Sequence, residues 1–505
     1  MLRRTALAAS ALLAAGALLL TACSGSSSPS PSPTGEPDPN ASVTVGLVLE
    51  PENLDIRHTS GAALEQVLID NVYQGLVTRD AADDNAIVSA LASDWTVSDD
   101  GLTYTFTLNE GVTFHDGTAL TANDVVTSYT QVKDDATLQG HGDFAKVASI
   151  ASPDASTVVI TLTEPDINFL FTLTGRAGLV FKTGDTTDLK TKENGTGPFL
   201  LSEWNEGDSI VLTRNDDYWG DKAASKEIVL QYIPDFTAGV NAALDGTLDV
   251  LTAVEPNLAS QLDEASGFTL TEGRTTDKGT LAFNNTRAPL DDIRVREALR
   301  LAIDHEALIE AVGGATTLYG PIPELDPGYE DLSDVIGYDP EKAKALLKEA
   351  GQEDLELTLT IPSFYPTTTA IFLVSAFNDI GVTLTVEPVE FATWIDDVYT
   401  NHDYDLSFVL HVEARDFGNF ANPDYYFQYD NAEVQTLYQQ AMATTDADES
   451  DSLLKEAARI VSEDMAADWL YNGVTITAVG SGITGFPQDS INVRLNLADV
   501  ASSNG

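Results

Sequence analysis

Near the far end of the chain, four side chains able to carry charge fall within His411-Val412-Glu413-Ala414-Arg415-Asp416. Residues 408–413 read as a strand, on which side chains two apart share a face. His411 and Glu413 could then meet a cation or a protonated amine together; the alternative is a solvent-facing strand end. Arg415 offers a planar guanidinium suited to a carboxylate, either a ligand's or that of a neighbouring acid. No catalytic constellation accompanies these groups. The sequence has no GxSxG nucleophile elbow, no GxxxxGKS/T phosphate loop and no HExxH pair. Its GxGxxG, Gly480 to Gly485, is followed by Phe486-Pro487 where a dinucleotide site needs a helix to open, so it reads as a glycine-rich loop. The six histidines include no pair three or four residues apart. The single cysteine, Cys23, excludes an intramolecular disulfide and an all-cysteine metal cage. The expectation is a binding protein, not an enzyme, with no cofactor and no resident metal.

Composition narrows the partners. With 79 acidic and 26 basic residues among 505, the formal net charge is −53. Nucleic acid is a poor partner for such a chain, because that binding rests on Lys and Arg neutralising phosphates. The 43% of hydrophobic residues marks a globular protein, long enough for more than one lobe. The charge reads as a well-solvated acidic surface.

The chain opens with Arg3 and Arg4 before an Ala/Leu-rich core, Ala6 to Leu20, short for a membrane span of roughly 20 residues. This is an export signal, residues 1–22. It ends in Leu20-Thr21-Ala22-Cys23, which resembles a bacterial lipobox with Cys23 as the lipidated residue. Residues 23–42, rich in Ser and Pro, read as a tether. Acyl chains on Cys23 would anchor the protein to a membrane without spanning it.

The elements that must position the charged cluster follow. Val43 to Leu49 reads as a strand and Ala62 to Leu76 as an amphipathic helix. Tyr104 to Leu108 alternates as a half-buried strand, and Val112 to Phe114 reads as a second strand completing a hairpin. Thr121 is placed to cap a helix from Ala122 by accepting an amide, with Asp124 in its first turn. Asp339, Pro340 and Gly351 frame another helix. Strands and helices then alternate from Leu355, a late helix spans Leu453 to Ala467, and a strand follows at Val474 to Val479. Alternation of this kind argues for an α/β lobe.

The stretch from Trp95 to Val126 carries a longer signal: Asp-Gly, Thr-Tyr-Thr-Phe, then Gly-Val-Thr-Phe-His-Asp-Gly, then Thr-Ala-Asn-Asp-Val-Val. It resembles the extracytoplasmic solute-binding proteins of peptide and nickel ABC importers, family 5. Further matches are Glu50 to Asp55, Gly195 to Phe199, Asp217 to Gly220, Phe283 to Thr286, Pro289 to Leu299 and Tyr338 to Ala343. The resemblance implies an α/β, periplasmic-binding-protein-like two-lobe clamshell with an inserted small α+β domain. Residues 43–84, 195–283 and 478–505 would form lobe I, 85–194 the inserted domain and 284–477 lobe II. It implies capture of dipeptides or oligopeptides between the lobes and delivery to a membrane permease. A nickel or other metal chelate and an oligosaccharide are the alternatives within the class; an exported hydrolase or a structural surface lipoprotein is the alternative outside it. The protein would be an extracytoplasmic monomer, lipid-anchored to a bacterial cell membrane.

The resemblance also implies site residues. Peptide binders of the family pair an Asp near a Trp-x-x-Asp segment with the ligand's α-ammonium group. Here that region lacks the Trp, and Asp416 is the first counterpart, Glu413 the second. Arg176 lies where nickel-chelate binders clamp carboxylates, unless it is merely a surface residue. Trp394 lies where the family places an aromatic pocket wall, unless it packs a helix. Asn284 and Asn285 lie where the chain crosses between lobes, and His115 is expected to be structural.

Overall fold

Val43, Val45 and Leu47 are fully buried, and their period of two builds the strand Ser42–Leu47. In the computed structural model, which describes residues 36–491 and 494–503, this strand lies inside one 11-stranded sheet. It pairs in parallel with Glu227–Tyr232 on one side and Val250–Leu251 on the other. Antiparallel Ser209–Arg214 and Phe199–Asn205 complete that flank. The opposite flank holds Leu406–His411, Glu356–Pro362 and Thr383–Val389, the last three joined in parallel. The export segment, Cys23 and the tether up to residue 35 lie outside the described residues. No helix among the described residues is long and apolar enough to cross a membrane.

Two long strands connect the flanks: Phe268–Phe283 and Ala467–Gly480, paired antiparallel. Their register breaks between Arg274 and Lys278. There the Asn472 side chain replaces the ladder, donating to the carbonyls of Thr275 (3.1 Å) and Asp277 (2.8 Å). Beyond the break, residues 278–283 pair with Leu406–His411. Phe268–Phe283 therefore keeps Ala467–Gly480 as a neighbour and gains its second partner past 274–278, upstream of Asn284. Separate apolar cores lie on the two sides, one around Val43, Leu68 and Leu230, the other around Leu281, Leu299 and Phe377.

A smaller four-stranded antiparallel sheet, in the order Ala92–Val97, Thr103–Leu108, Thr157–Leu162 and Val147–Ala151, packs on the helix Ala122–Asp134 through Phe106, Val125 and Tyr129. The helix start forms a capping box: the Thr121 side chain faces the Asp124 N–H, and the Asp124 carboxylate accepts both the Thr121 N–H (2.8 Å) and the Thr121 hydroxyl (2.7 Å). Asp124 also accepts the Thr183 N–H at 2.9 Å. Asp124→Ala should therefore cost about 1–2 kcal/mol, read from the shift of a urea unfolding curve.

Several boundaries differ from the sequence reading. Val112–Phe114 does not pair with Thr103–Leu108, whose neighbours come from Ala92–Val97 and Thr157–Leu162. Instead residues 112–120 fold on themselves, with Leu120 N–H on the Val112 carbonyl and Phe114 N–H on that of Thr118. The helix from Ala62 stops at Leu68, because Asp70 turns left-handed (φ 66°) and gives its carboxylate to Arg494 and Thr78. The late helix runs Ala447–Glu463, with the Asp446 side chain capping its start, and the strand after it begins at Ala467. The helix Pro340–Glu349 forms as read, with Asp339 accepting the Lys342 N–H at 2.9 Å and Gly351 at φ 70°.

Candidate functional site

A cleft of about 820 Å³ opens where the two flanks of the sheet and the small four-stranded unit meet. Arg176, Glu413 and Arg415 line it; Asp416, His411, Trp394, Asn284 and Asn285 do not.

Arg176 follows the short helix Phe169–Thr174. Its guanidinium is already engaged: Nη2 lies 2.7 Å from a Glu65 carboxylate oxygen, Nε donates to the same oxygen at 2.8 Å, and Nη1 donates to the Thr59 carbonyl at 2.8 Å. It braces the cleft wall and retains little capacity for a ligand.

Arg415 is different. Its backbone is left-handed (φ 58°), and the Asp326 carboxylate accepts its N–H at 2.6 Å. That turn aims the side chain at Asn168, whose Oδ1 accepts from Nη1 at 2.8 Å. The guanidinium sits 4.2 Å from the centroid of the Phe171 ring. No carboxylate lies within ion-pair distance of it among the described residues. Burial lowers its pKa, against the pull of Asp326 and Asp166.

Sequence reasoning missed Arg79. It sits on the strand Val77–Asp80, lines the cleft, is 6% exposed and lies 5.3 Å from the same Phe171 ring. Nη2 reaches the Ile491 carbonyl at 3.4 Å, while Nε and Nη1 have no hydrogen-bond partner among the described residues. Burial, then the nearby Arg494 cation, pushes its pKa down to about 9, which leaves it charged at neutral pH. Two guanidiniums without a carboxylate partner among the described residues, in a chain with a threefold excess of acid, form a cationic spot in the cleft wall that favours an anionic ligand group. The available signal was an arginine inside a short alternating strand. Asp277 was missed as well; burial raises its carboxyl to about 6, with Lys278 opposing and Glu413 adding to the rise.

Beside the cleft, the ligating atoms of His411, Glu413 and Asp416 lie within 4.8 Å of one another. The strand itself stops at His411, so Glu413 lies in the connection before the turn at Ala414 and Arg415. His411 is buried, stacked on Tyr426, with Nε2 2.9 Å from its hydroxyl and Nδ1 3.7 Å from Asp416. Asp416 does not await a ligand's ammonium. The chain's own Lys278, 2% exposed, sets Nζ 3.2 Å from Asp416 Oδ1 and donates to the carbonyls of Thr276 and Glu413, both at 3.0 Å. Burial alone would raise the Asp416 carboxyl; Lys278 and His411 hold it below the ordinary value. A divalent ion on the same carboxylate would set a second cation against this ammonium.

The remaining expectations resolve as packing. Asn284 donates to the carbonyls of His402 and Tyr404, and Asn285 to those of Phe283, Phe427 and Ala466. Trp394 is buried, stacks on Phe391 and donates Nε1 to Ser407 at 2.9 Å. His115 is tied to Glu193 and the Gly197 carbonyl. Asn285→Ala should lower stability by about 1–3 kcal/mol, by orphaning buried carbonyls, while a binding titration changes by no more than about twofold.

Residues 86–436 match the profile of Bacterial extracellular solute-binding proteins, family 5 Middle. The chain is 28% identical over 489 residues to the probable D,D-dipeptide-binding periplasmic protein DdpA of Escherichia coli K12, covering 88% of this chain and 91% of that one. It is 32% identical over 299 residues to the nickel-binding periplasmic protein of the same organism, 55% of this chain and 56% of that one. Among solved structures, the ABC transporter substrate binding protein CtaP of Listeria monocytogenes superposes with a TM-score of 0.83 at 22% identity, covering 92% of this chain and all of that one.

Proposed function

Because the chain belongs to the bacterial extracellular solute-binding proteins of family 5, we propose that it is the extracytoplasmic receptor of an ABC importer and that its cargo is short peptides. The observation that carries the ligand reading is the cleft itself, in which Arg79 and Arg415 flank Phe171 with no carboxylate of their own. A peptide's terminal carboxylate supplies what both lack, through charge-assisted hydrogen bonds. Its backbone can run along the cleft while side chains fill tolerant space. A carboxylate-rich metal chelate is the second reading, since the same guanidiniums suit it.

The mechanism is ligand-driven closure. Residues 43–84, 195–274 and 474–505 move as lobe I, 278–472 as lobe II and 85–194 as the inserted domain, with the crossings at 274–278 and 472–474 and not at 283 and 477. The flex point lies within the two long strands, at the register break near residues 274–278. Ligand bridging the lobes favours the closed state by its differential affinity, and the closed state docks on the permease. Cys23 carries the lipid anchor, and the protein works as a monomer that binds without turnover. Native mass spectrometry of the exported chain, purified without refolding, tests the cargo. Release of a mixed set of short peptides on denaturation supports the reading. A single metal complex or sugar would replace it.

A further inference from the structure

The 11-stranded sheet ends at Thr383–Val389, which pairs with Glu356–Pro362 on one side and with no strand among the described residues on the other. Between these strands and the helix Thr368–Asp379 lies an apolar groove of about 330 Å³, with Ile361, Ile371, Val374, Val386 and Pro388 in its lining. Large apolar side chains stand in the open around it. Phe364 is 63% exposed and Ile371 66%, and Phe391, Ile395 and Tyr399 are exposed as well. Ring contacts join them into one surface. Phe364 lies 5.8 Å from Phe391, Phe391 stacks on Trp394 at 5.8 Å, and Trp394 lies 6.2 Å from Tyr399, centroid to centroid. None of these residues lines the cleft. A continuous exposed apolar surface marks an interaction site, whereas scattered apolar residues need no explanation.

Charge decides what fits there. Between Lys348 and Arg415 the chain has no Lys or Arg. Glu387, Glu390 and Asp396 are exposed and interleave with the apolar residues. An anionic membrane surface attracts Lys and Arg, and this face offers it only acids. A second copy would bring the same acids on a chain of net charge −53. Pro388 on the end strand also blunts pairing with another strand, since it has no N–H to give.

We propose that this face docks a segment of a partner protein in which apolar side chains are interspersed with Lys or Arg. The apolar groups meet Phe364, Ile371 and the groove, and the cations meet Glu387, Glu390 and Asp396. The site is independent of the cargo and of what fills the cleft.

The test is calorimetric titration of the exported chain at pH 7.5 with three synthetic peptides. The first is two repeats of Lys-Leu-Leu-Lys-Lys-Leu-Leu; the second has every Leu replaced by Ser, and the third every Lys replaced by Glu. Two variants accompany the native chain. Phe364→Ser/Ile371→Ser changes side chains that already stand largely in water, so its urea midpoint should match that of the native chain. Glu387→Gln/Glu390→Gln removes two charges and keeps the shape. The native chain should bind the Lys–Leu peptide at least about tenfold tighter than either control. Phe364→Ser/Ile371→Ser should weaken that binding by about tenfold. Glu387→Gln/Glu390→Gln should weaken it by about threefold and flatten its salt dependence. Binding unchanged in both variants, or no preference among the three peptides, overturns the proposal. Sedimentation of the chain alone and with phosphatidylglycerol vesicles tests the other occupants. A dimer or a vesicle complex that is lost in Phe364→Ser/Ile371→Ser would give the face to a second copy or to a membrane, and would overturn the partner.

Discussion

Lys278→Met should lower the unfolding free energy by about 3–5 kcal/mol at neutral pH, measured by urea denaturation. Lys278 sits at the register break, 2% exposed, with Asp416 and two carbonyls as its acceptors. Methionine fills the volume and removes the charge. The Asp416 carboxylate is then buried without its counter-ion, and the carbonyls of Thr276 and Glu413 lose a donor. Breaking one half of a buried pair is costly because the other half remains. The pH dependence has a definite sign. In the native chain the Asp416 carboxyl lies below its unfolded value, so its stabilisation is present above the unfolded value and is lost as pH falls through the folded one. Without Lys278, burial raises the Asp416 carboxyl, and the group protonates at a milder pH. The deficit of the variant should therefore shrink between pH 8 and pH 5. Lys278→Met combined with Asp416→Leu should recover most of the loss, since an apolar pair leaves no buried charge. A deficit that persists in the double variant would mean that Lys278 acts through packing and not through its charge.

The same residue shows where the sequence stops being legible. Signals confined to one turn were readable: Asp339 with Gly351 framed a helix, and the period of two marked Ser42–Leu47 and Thr103–Leu108. Family resemblance then supplied the architecture. Lys278 and Glu413 are 135 residues apart, and nothing local to either names the other. Asp416 looked like an acid waiting for a cation because its partner arrives from another strand. Trp394 and Asn285 have residue types that serve a pocket or a core equally well, and only burial decides between them. Val112–Phe114 had strand composition, but the edge it would have used is taken by Thr157–Leu162, which no local pattern announces. The useful site residue, Arg79, is a single charged residue in ordinary surroundings. Among the described residues it stands out because two of its guanidinium nitrogens have no hydrogen-bond partner, and that property exists only once the chain is folded.

Loss of both guanidiniums in Arg79→Ala/Arg415→Ala should weaken binding of Leu-Ala-Ala by about 10²–10⁴-fold, read by calorimetric titration. Each charge-assisted hydrogen bond contributes about 1.5–3 kcal/mol, and each single variant should lose about 10–150-fold. The two losses should not add cleanly, because both groups address one anion across one ring. The carboxylate itself is the control. The C-terminal amide of the same tripeptide should bind the native chain weakly and the double variant about equally weakly. Stability separates this role from a structural one. Arg79 has two buried donors without partners, so Arg79→Ala removes an unmet desolvation cost. Without ligand, that variant should unfold at no lower urea concentration than the native chain, and a given ligand concentration should shift its midpoint less. Arg176→Ala should behave the opposite way, since its guanidinium is spent on Glu65 and Thr59: stability falls, while the preference for carboxylate over amide survives. If Arg176→Ala abolished that preference and Arg79→Ala did not, the anion site would lie beside Glu65 and Thr59 and not beside the Phe171 ring.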